Sequence, residues 1–475
     1  MDEVQIAPMS PERLRPVLAA ARFESFLEGA REARALLDGR VVWNVNSTAN
    51  GGGVVELLRP MIAYARGAGV DARWVVLRGT PGFFAVTKRI HNRLHGSPGD
   101  GGSLDDYARA VYEGVIADNL PALLERVRPG DVVLVHDPQP AGMIPALADA
   151  GAIVIWRCHV GIDVPTPLAR EAWSFLRPYV APARACVFSR EAFVWEGFDG
   201  QRIAVIAPSI DPLAPKNEQL GPGVATAILR TAGLLASDGT APTTFVREDG
   251  TPGRVERHAD LVEDAPVPEG APLVVQVSRW DALKDPIGVI RGFAEHVPAE
   301  SGAHLVYAGP SVQAVDDDPE GARVLREAIG LRAALPPEPR SRIHLASLPI
   351  DDAAENAIIV NALQRTASVV VQKSLAEGFG LTVAEAMWKA RPVVASRIGG
   401  IQEQIVDGVT GLQLADPRDL AGFGAAVTRL LADPAEAERM GIRAQEHVRD
   451  RFLNVRNLLD YLTLIKGLET PVRSP

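Results

Sequence analysis

A chain of 475 residues exceeds what one ordinary core organises and predicts two domains of moderate size. Its 47% apolar and 23% charged residues mark a soluble, globular class, and 49 basic against 59 acidic side chains leave a formal charge of −10. That balance argues against nucleic acid and anionic membranes as partners, because both demand a broad basic footprint.

The first forty residues read as an amphipathic helical extension ending at Asp38-Gly39. Strand and helix signals then alternate. Val41–Asn46 is a short β-rich run before Gly51-Gly52-Gly53, residues 54–66 are helix-like, and residues 73–77 form the next strand. Further buried strands are expected at 132–136, 153–157, 185–188 and 203–206. Such alternation predicts a parallel sheet with helices on both faces. From Asn217 to Gly270 the pattern weakens, and Ser237–Val255, rich in Gly, Thr, Asp and Pro, reads as a mobile insertion in an interdomain connection. A second βα series follows at 273–277, 304–308, 342–345, 369–372 and 392–396, and the tail from Pro417 to Leu468 is almost wholly helical. The expected fold is α/β, with two Rossmann-like, doubly wound parallel-sheet domains facing a cleft. The N-terminal domain spans 1–215, with 1–40 as its extension, and the linker with its insertion spans 216–270. The C-terminal domain spans 271–450, and a final helix over 451–475 packs back on the N-terminal domain.

No apolar run is long enough to cross a bilayer, and the acidic start Met1-Asp2-Glu3 lacks a secretory leader. Two cysteines, Cys158 and Cys186, build no disulfide framework, and no Cys/His cluster has zinc spacing, so the cytoplasm is the expected compartment.

The strongest chemical signal is Glu377-Gly378-Phe379-Gly380-Leu381-Thr382-Val383-Ala384-Glu385, between a buried strand and the next one. Its glycines let the backbone turn tightly against a ligand, and a helix starting near Leu381 points free amides and a positive dipole end into that turn. This suits a phosphate, with Glu377 and Glu385 placed to accept hydrogen bonds from sugar and ribose hydroxyls. A lone glutamate pair is more often helix-flanking charge, but the Gly-Phe-Gly turn between these two favours function. The second signal is Arg279 and Lys284, just after the first strand of the second domain, where a guanidinium fork and a point charge meet a diphosphate from one side. The third, Asn46 to Gly53, opens a helix with a glycine-rich loop but lacks the dinucleotide fingerprint. Asp316-Asp317-Asp318 reads as a solvated turn rather than a cation site, so no metal is expected.

The pair Arg279/Lys284 followed by Glu377 and Glu385 resembles retaining glycosyltransferases of family 4, which have the GT-B fold. The likeness narrows in the first domain. There the chain carries Trp43-Asn44-Val45-Asn46-Ser47-Thr48, Phe83-Phe84-Ala85-Val86-Thr87-Lys88 with His91-Asn92, His136-Asp137-Pro138-Gln139-Pro140, Trp156-Arg157-Cys158-His159 and Pro208-Ser209-Ile210-Asp211. These strings are similar to those of the trehalose glycosyltransferring synthases, with retaining trehalose phosphorylases as close relatives, over most of 41–215 and 272–465. The resemblance implies a hexosyltransferase joining a nucleoside diphosphate glucose to a small sugar acceptor, free glucose, with an α,α-1,1 linkage.

It further implies that Arg279 and Lys284 hold the donor diphosphate, Glu377 the transferred sugar and Glu385 the ribose. Backbone at Gly380, Leu381 and Thr382, with Gly52 and Gly53, completes the donor cradle. His159 stands near the reacting sugar; Asn46, Lys88, Asp137 and Gln139 face the acceptor. The base of the donor, ADP, UDP or GDP, stays open, as does the oligomeric state, a homodimer included. The chain departs from the pattern where Val160-Gly161-Ile162 makes the stretch before Asp163 about two residues longer than in the synthases. It also departs at Asp285, which stands where a glycine is expected, and in the insertion. No nucleophilic carboxylate is evident, so a front-face reaction without metal or other cofactor is expected. The alternatives are a phosphorylase, a family 4 transferase with another acceptor, and a non-catalytic sugar- or nucleotide-binding regulator.

Overall fold

The computed structural model describes residues 1–49, 52–198, 202–221, 223–236, 243–247, 251–312 and 319–469. The chain divides into two compact units, Met1–Ile210 with Phe452–Pro475, and Asp211–Arg451.

The first unit holds strands β1 (Asp2–Val4), β2 (Val41–Asn46), β3 (Asp71–Val76), β4 (Val132–His136), β5 (Ile153–Cys158), β6 (Ala185–Phe188) and β7 (Ile203–Val205) in the order β1-β3-β2-β4-β5-β6-β7. All neighbours pair parallel except β1, which runs antiparallel to β3 with Asp2 opposite Val76. Every residue of β4, Val-Val-Leu-Val-His, is buried, as expected where helices cover both faces of a sheet. One face gathers Trp43, Trp156, Phe83, Tyr112 and Leu176; the other gathers Trp74, Leu58, Ile62, Tyr461 and Ile465. The latter two belong to the final helix, Asn454–Glu469, whose Tyr461, Leu464, Ile465 and Leu468 all face inward. At roughly 1.5–3 kcal/mol per buried large apolar side chain, that stripe holds the helix to this unit. Polar ties reinforce it, with Asn457 Nδ2 donating to the Ala207 carbonyl at 2.9 Å and the Asn454 amide to the Ile210 carbonyl at 3.0 Å.

The opening residues differ from the expected helical extension. Helix occupies Ala20–Leu36, after a 3₁₀ turn at Pro11–Leu14 and the edge strand β1. Asp2-Glu3-Val4, two acidic residues and one apolar, is too short to carry a period. Arg78 pairing with Asp2 and Arg126 pairing with Glu3 fix them to the sheet.

The second unit has a hairpin, β8 (Thr244–Val246) with β9 (Pro252–Arg254), and a sheet of β10 (Asp260–Val262), β11 (Leu273–Val277), β12 (His304–Pro310), β13 (Ile343–Leu348), β14 (Val369–Gln372), β15 (Val393–Ser396) and β16 (Leu412–Leu414). The order is β10-β13-β12-β11-β14-β15-β16, parallel apart from β10. Val274, Phe293, Tyr307, Val371 and Phe423 centre its core.

The described parts of 216–270 fold with this unit rather than forming a bare connection: they supply the helix Val224–Thr231, the hairpin and the sheet edge β10. The hairpin is tied down where Arg247 Nη1 meets Asp352 at 2.8 Å, and the chain just beyond it where Glu355 accepts the amides of Glu256 and Arg257, both at 2.7 Å. Residues 237–242 and 248–250 of the expected insertion lie outside the described residues.

Candidate functional site

In each sheet the strand order reverses once, between β2 and β4 in the first and between β11 and β14 in the second. Parallel sheets leave a crevice at the carboxyl ends of the strands flanking such a reversal. The sequence-derived candidates fall largely on the loops that follow those strands.

In the second unit, β11 runs into a loop that ends in a 3₁₀ turn, Ala282–Lys284, capped by the Asp281 carboxylate on the Leu283 amide at 2.8 Å. The Leu375 amide, after β14, donates to the Leu283 carbonyl at 2.7 Å and ties the two loops together. Gln276 Nε2 holds the Lys284 carbonyl at 2.8 Å. The ammonium of Lys284 thereby reaches Glu377 Oε2 at 2.6 Å, with the side chains 15% and 12% exposed. Ser374 Oγ approaches the same carboxylate oxygen at 3.5 Å. Arg279 stands apart from this pair: its guanidinium is 60% exposed and bonded to Asp281 at 2.9 Å.

Beyond Glu377 the chain turns through Gly380, at φ +84°, where an added Cβ would come 2.9 Å from Ile401. The helix Leu381–Trp388 starts there, and the first amides of any helix have no partner within it. Thr382 Oγ1 donates to Gln372 Oε1 at 3.0 Å and anchors the helix start to β14. Opposite lies Gly399, at φ +46°, where a Cβ would fall 1.9 Å from the Glu377 carbonyl; the Gly400 amide donates to the Gly378 carbonyl at 2.9 Å. Glycine at 399 is therefore required on two counts, conformation and space. Glu385, inside the helix, is 2% exposed rather than solvated, and Lys216 Nζ lies 3.7 Å from its Oε1.

The departure at Asp285 has a local explanation. Its φ is +52°, the left-handed region for which glycine is the default and Asp a tolerated alternative. Its carboxylate caps the Gly288 amide at 3.0 Å and pairs with the wholly buried Lys373, so one side chain closes a helix start and neutralises a sealed cation.

In the first unit, His136 ends β4, Asp137 follows at φ +63°, and His159 follows β5. Asp137 Oδ1 accepts the His159 amide at 2.7 Å. The buried Arg157 donates from Nε to His159 Nδ1 at 3.4 Å, His159 Nε2 lies 3.2 Å from His136 Nδ1, and His136 Nε2 lies 3.1 Å from Asn44 Oδ1. Arginine only donates, so His159 Nδ1 carries no proton, and its Nε2–H points to His136. His136 in turn donates from Nε2 to Asn44. Both rings are neutral and their tautomers fixed. Burial, with Arg157 nearby, pushes His136 down to about 3 and His159 well below its ordinary value. Burial raises the Asp137 carboxyl to about 7, against the opposing His159 amide and Arg157.

The other first-unit candidates take separate places. Asn46 is buried and its Oδ1 accepts Trp74 Nε1 at 2.8 Å, so this side chain is engaged in the core. Gly52, at φ +83°, precedes the helix Gly53–Gly67; an added Cβ would touch nothing within 4 Å, so its demand is conformational. Lys88 lies on the exposed side of the helix Pro81–Leu94, and Gln139 is half-buried in the turn after Asp137. That turn is braced by Tyr112, which donates to the Pro138 carbonyl at 2.8 Å and accepts the Gly142 amide at 2.8 Å. Asp163 pairs with Arg190.

Asn44, His136 and Arg157 were visible only as members of the quoted strings; Lys373, Lys389 and Gly399 carried no signal beyond lying near the glycine-rich turn, and Lys216 carried none. Among the described residues no group of three or more His, Cys, Asp or Glu is placed to hold a metal ion, and no helix is long and apolar enough to cross a membrane. Asp316-Asp317-Asp318, with Asn50 and Gly51, lies outside the described residues.

A family model described as trehalose synthase, N-terminal domain, matches residues 44–195, and one described as glycosyl transferases group 1 matches residues 356–447. The chain is 37% identical over 441 residues to a trehalose synthase of Rubrobacter xylanophilus, covering 92% of this chain and 93% of that one. It is 26% identical over 443 residues to a trehalose phosphorylase of Pleurotus pulmonarius, covering 88% of this chain and 56% of that protein. Among solved structures it is similar to a UDP-forming α,α-trehalose-phosphate synthase from Burkholderia xenovorans, with a TM-score of 0.64 at 16% identity over 92% of this chain and 100% of that one. At that identity the likeness is one of fold, the GT-B architecture.

Proposed function

The chain belongs to the trehalose synthase family of glycosyltransferases, as a hexosyltransferase of GT-B fold, and from that premise we propose that it makes trehalose from a nucleoside diphosphate glucose and free glucose with retention at the anomeric carbon. The observation that carries the proposal is the 2.6 Å contact of Lys284 with Glu377 at the entrance to the Gly380 turn. A cation, a carboxylate and the start of a helix occupy adjoining loops, the combination an activated sugar needs. Lys284 and the first amides of Leu381–Trp388 take the diphosphate, with Arg279 swinging from Asp281 to join them. Glu377 then accepts hydroxyls of the transferred glucose, and Glu385 those of the ribose. His159, held neutral by burial with Arg157 nearby, stands with Asp137 and Gln139 on the acceptor side.

The bond from the anomeric carbon to the diphosphate oxygen breaks as an oxocarbenium-like sugar forms. The acceptor hydroxyl attacks from the same face, and its proton passes to the departing phosphate oxygen. Charge grows on the diphosphate as it leaves, so fixed cations there stabilise the transition state more than the ground state. Lys284 and Arg279 supply that charge without a metal, and a chelator should leave transfer intact.

Nucleoside diphosphate glucoses screened against free glucose, with the product linkage followed by NMR, test the proposal directly. The expected product is trehalose. Incubating trehalose with phosphate or with a nucleoside diphosphate separates the phosphorylase: release of glucose phosphate only with inorganic phosphate would overturn the synthase assignment.

A further inference from the structure

Lys389 closes the helix Leu381–Trp388 at its carboxyl end and is 3% exposed. Its ammonium has three protons and meets three oxygens: Gln364 Oε1 at 2.8 Å, Asn217 Oδ1 at 3.1 Å and the Glu385 carbonyl at 3.1 Å. These acceptors come from three separate segments, the helix Ala353–Thr366, the chain near the start of this unit, and the helix of Lys389 itself. None is a carboxylate. Burying an ammonium on neutral oxygens costs stability that an apolar residue of the same length would not, so a packing role alone does not account for it.

The geometry supplies another account. Gln364, which receives one Lys389 proton, turns its own amide nitrogen to the Thr382 carbonyl at 3.4 Å. Asn217, which receives a second, also accepts Trp388 Nε1 through its carbonyl at 3.2 Å. One buried cation thus braces the short helix at Thr382, Glu385 and Trp388, along its whole length. Its charge also lies at the negative end of the helix dipole, where a cation is favoured.

We infer that Lys389 is a positioning residue for the nucleotide donor, fixing Glu385 and the helix start in the geometry that receives ribose and diphosphate. The inference rests on the donor assignment of Glu385 and Thr382 made above and adds a residue that touches no substrate. Other charges surround the same helix, namely Glu385, Lys216 beside it, Arg365 on Ala353–Thr366 and Arg449 stacked on Trp388 at 5.9 Å.

A double-mutant cycle on the full chain tests this, with affinity for ADP, UDP and GDP measured by calorimetry and turnover measured at saturating donor. Lys389→Met should raise the diphosphate Kd and the donor KM about tenfold, the scale of one lost charged hydrogen bond, while kcat stays within about twofold. Glu385→Gln should raise the same Kd, and the double variant should bind no worse than the weaker single one, since both changes act on one contact. Additive effects, or a lower melting temperature with an unchanged Kd, would show a purely structural lysine and overturn the inference while the donor assignment stands. Should Lys389→Met not fold, Gln364→Leu removes the 2.8 Å acceptor and must give the same coupling with Glu385→Gln. A wild-type protein that binds no nucleoside diphosphate would instead sink the functional assignment itself.

Discussion

The two sheets are built on one plan, yet their site ends hold charge in opposite ways. In the second unit, formal charges meet as Lys284 with Glu377, Asp285 with Lys373 and Lys216 beside Glu385. In the first, Arg157, His159, His136 and Asn44 form a chain in which burial removes charge from the imidazoles and holds the Asp137 carboxyl up to about 7. A ligand rich in negative charge suits the former, and a neutral sugar dense in hydroxyls suits the latter. The same fold serves both because the strand-end loops, not the sheet, set the local electrostatics.

The sharpest way to break this comparison is Lys284→Ala. If the charged end stabilises a departing diphosphate, turnover at saturating donor should fall by ~10²–10³, the usual effect of deleting one transition-state donor. A rise in donor KM with turnover unchanged would instead place Lys284 in ground-state binding.

Acid tests the neutral end. His136 titrates at about 3 in the folded chain against 6.5 for the free group, so the unfolded chain binds the extra proton. The stability it contributes is present above pH 6.5 and drains as pH falls toward 3. At two units below 6.5 that is ~2–3 kcal/mol for this one ring. Denaturant unfolding at pH 7.5 and pH 4.5 should show the loss, and His136→Gln should blunt it.

Asp137 supplies an effect of comparable size and the opposite sign. Its carboxyl is raised to about 7 from 3.8, so the folded chain holds the proton longer. The wild type therefore loses stability as pH rises from about 4 to about 7. Asp137→Asn, which can still accept the His159 amide, should gain relative to it through that window and keep a constant margin above it. A margin independent of pH would mean that the carboxyl is solvated and ionised throughout.

Strands read as largely apolar runs were legible to the residue. Val132–His136, Ala185–Phe188, Leu273–Val277 and Val369–Gln372 stand where the sequence places them, because burial on both faces leaves an uninterrupted apolar signature. The edge strands β1, β10 and β16 were not, since three residues carry no measurable period and owe their place to a neighbour's register. Val224–Thr231 was missed for a related reason: one short helix among turns gives too few repeats of the 3.6-residue spacing.

At the candidate site, the glycine turn and its flanking charges were readable because the backbone there demands glycine. Gly399 carried the same demand but lies outside the motif. The His136–His159 contact joins positions 23 apart through side-chain tautomers, which no local pattern encodes. Lys389 has no local sequence signal, because its burial and its three oxygens come from segments far apart in the chain.

The central claim is that Lys284 and the start of Leu381–Trp388 grip the diphosphate of an activated sugar. Calorimetric titration of ADP, UDP and GDP into the wild type, Arg279→Ala and Lys284→Ala, at low and moderate salt, tests it most directly. The account predicts salt-sensitive binding of at least one nucleotide, weakened about tenfold or more by each substitution. No affinity for any of the three, or binding that both variants retain in full, would contradict it.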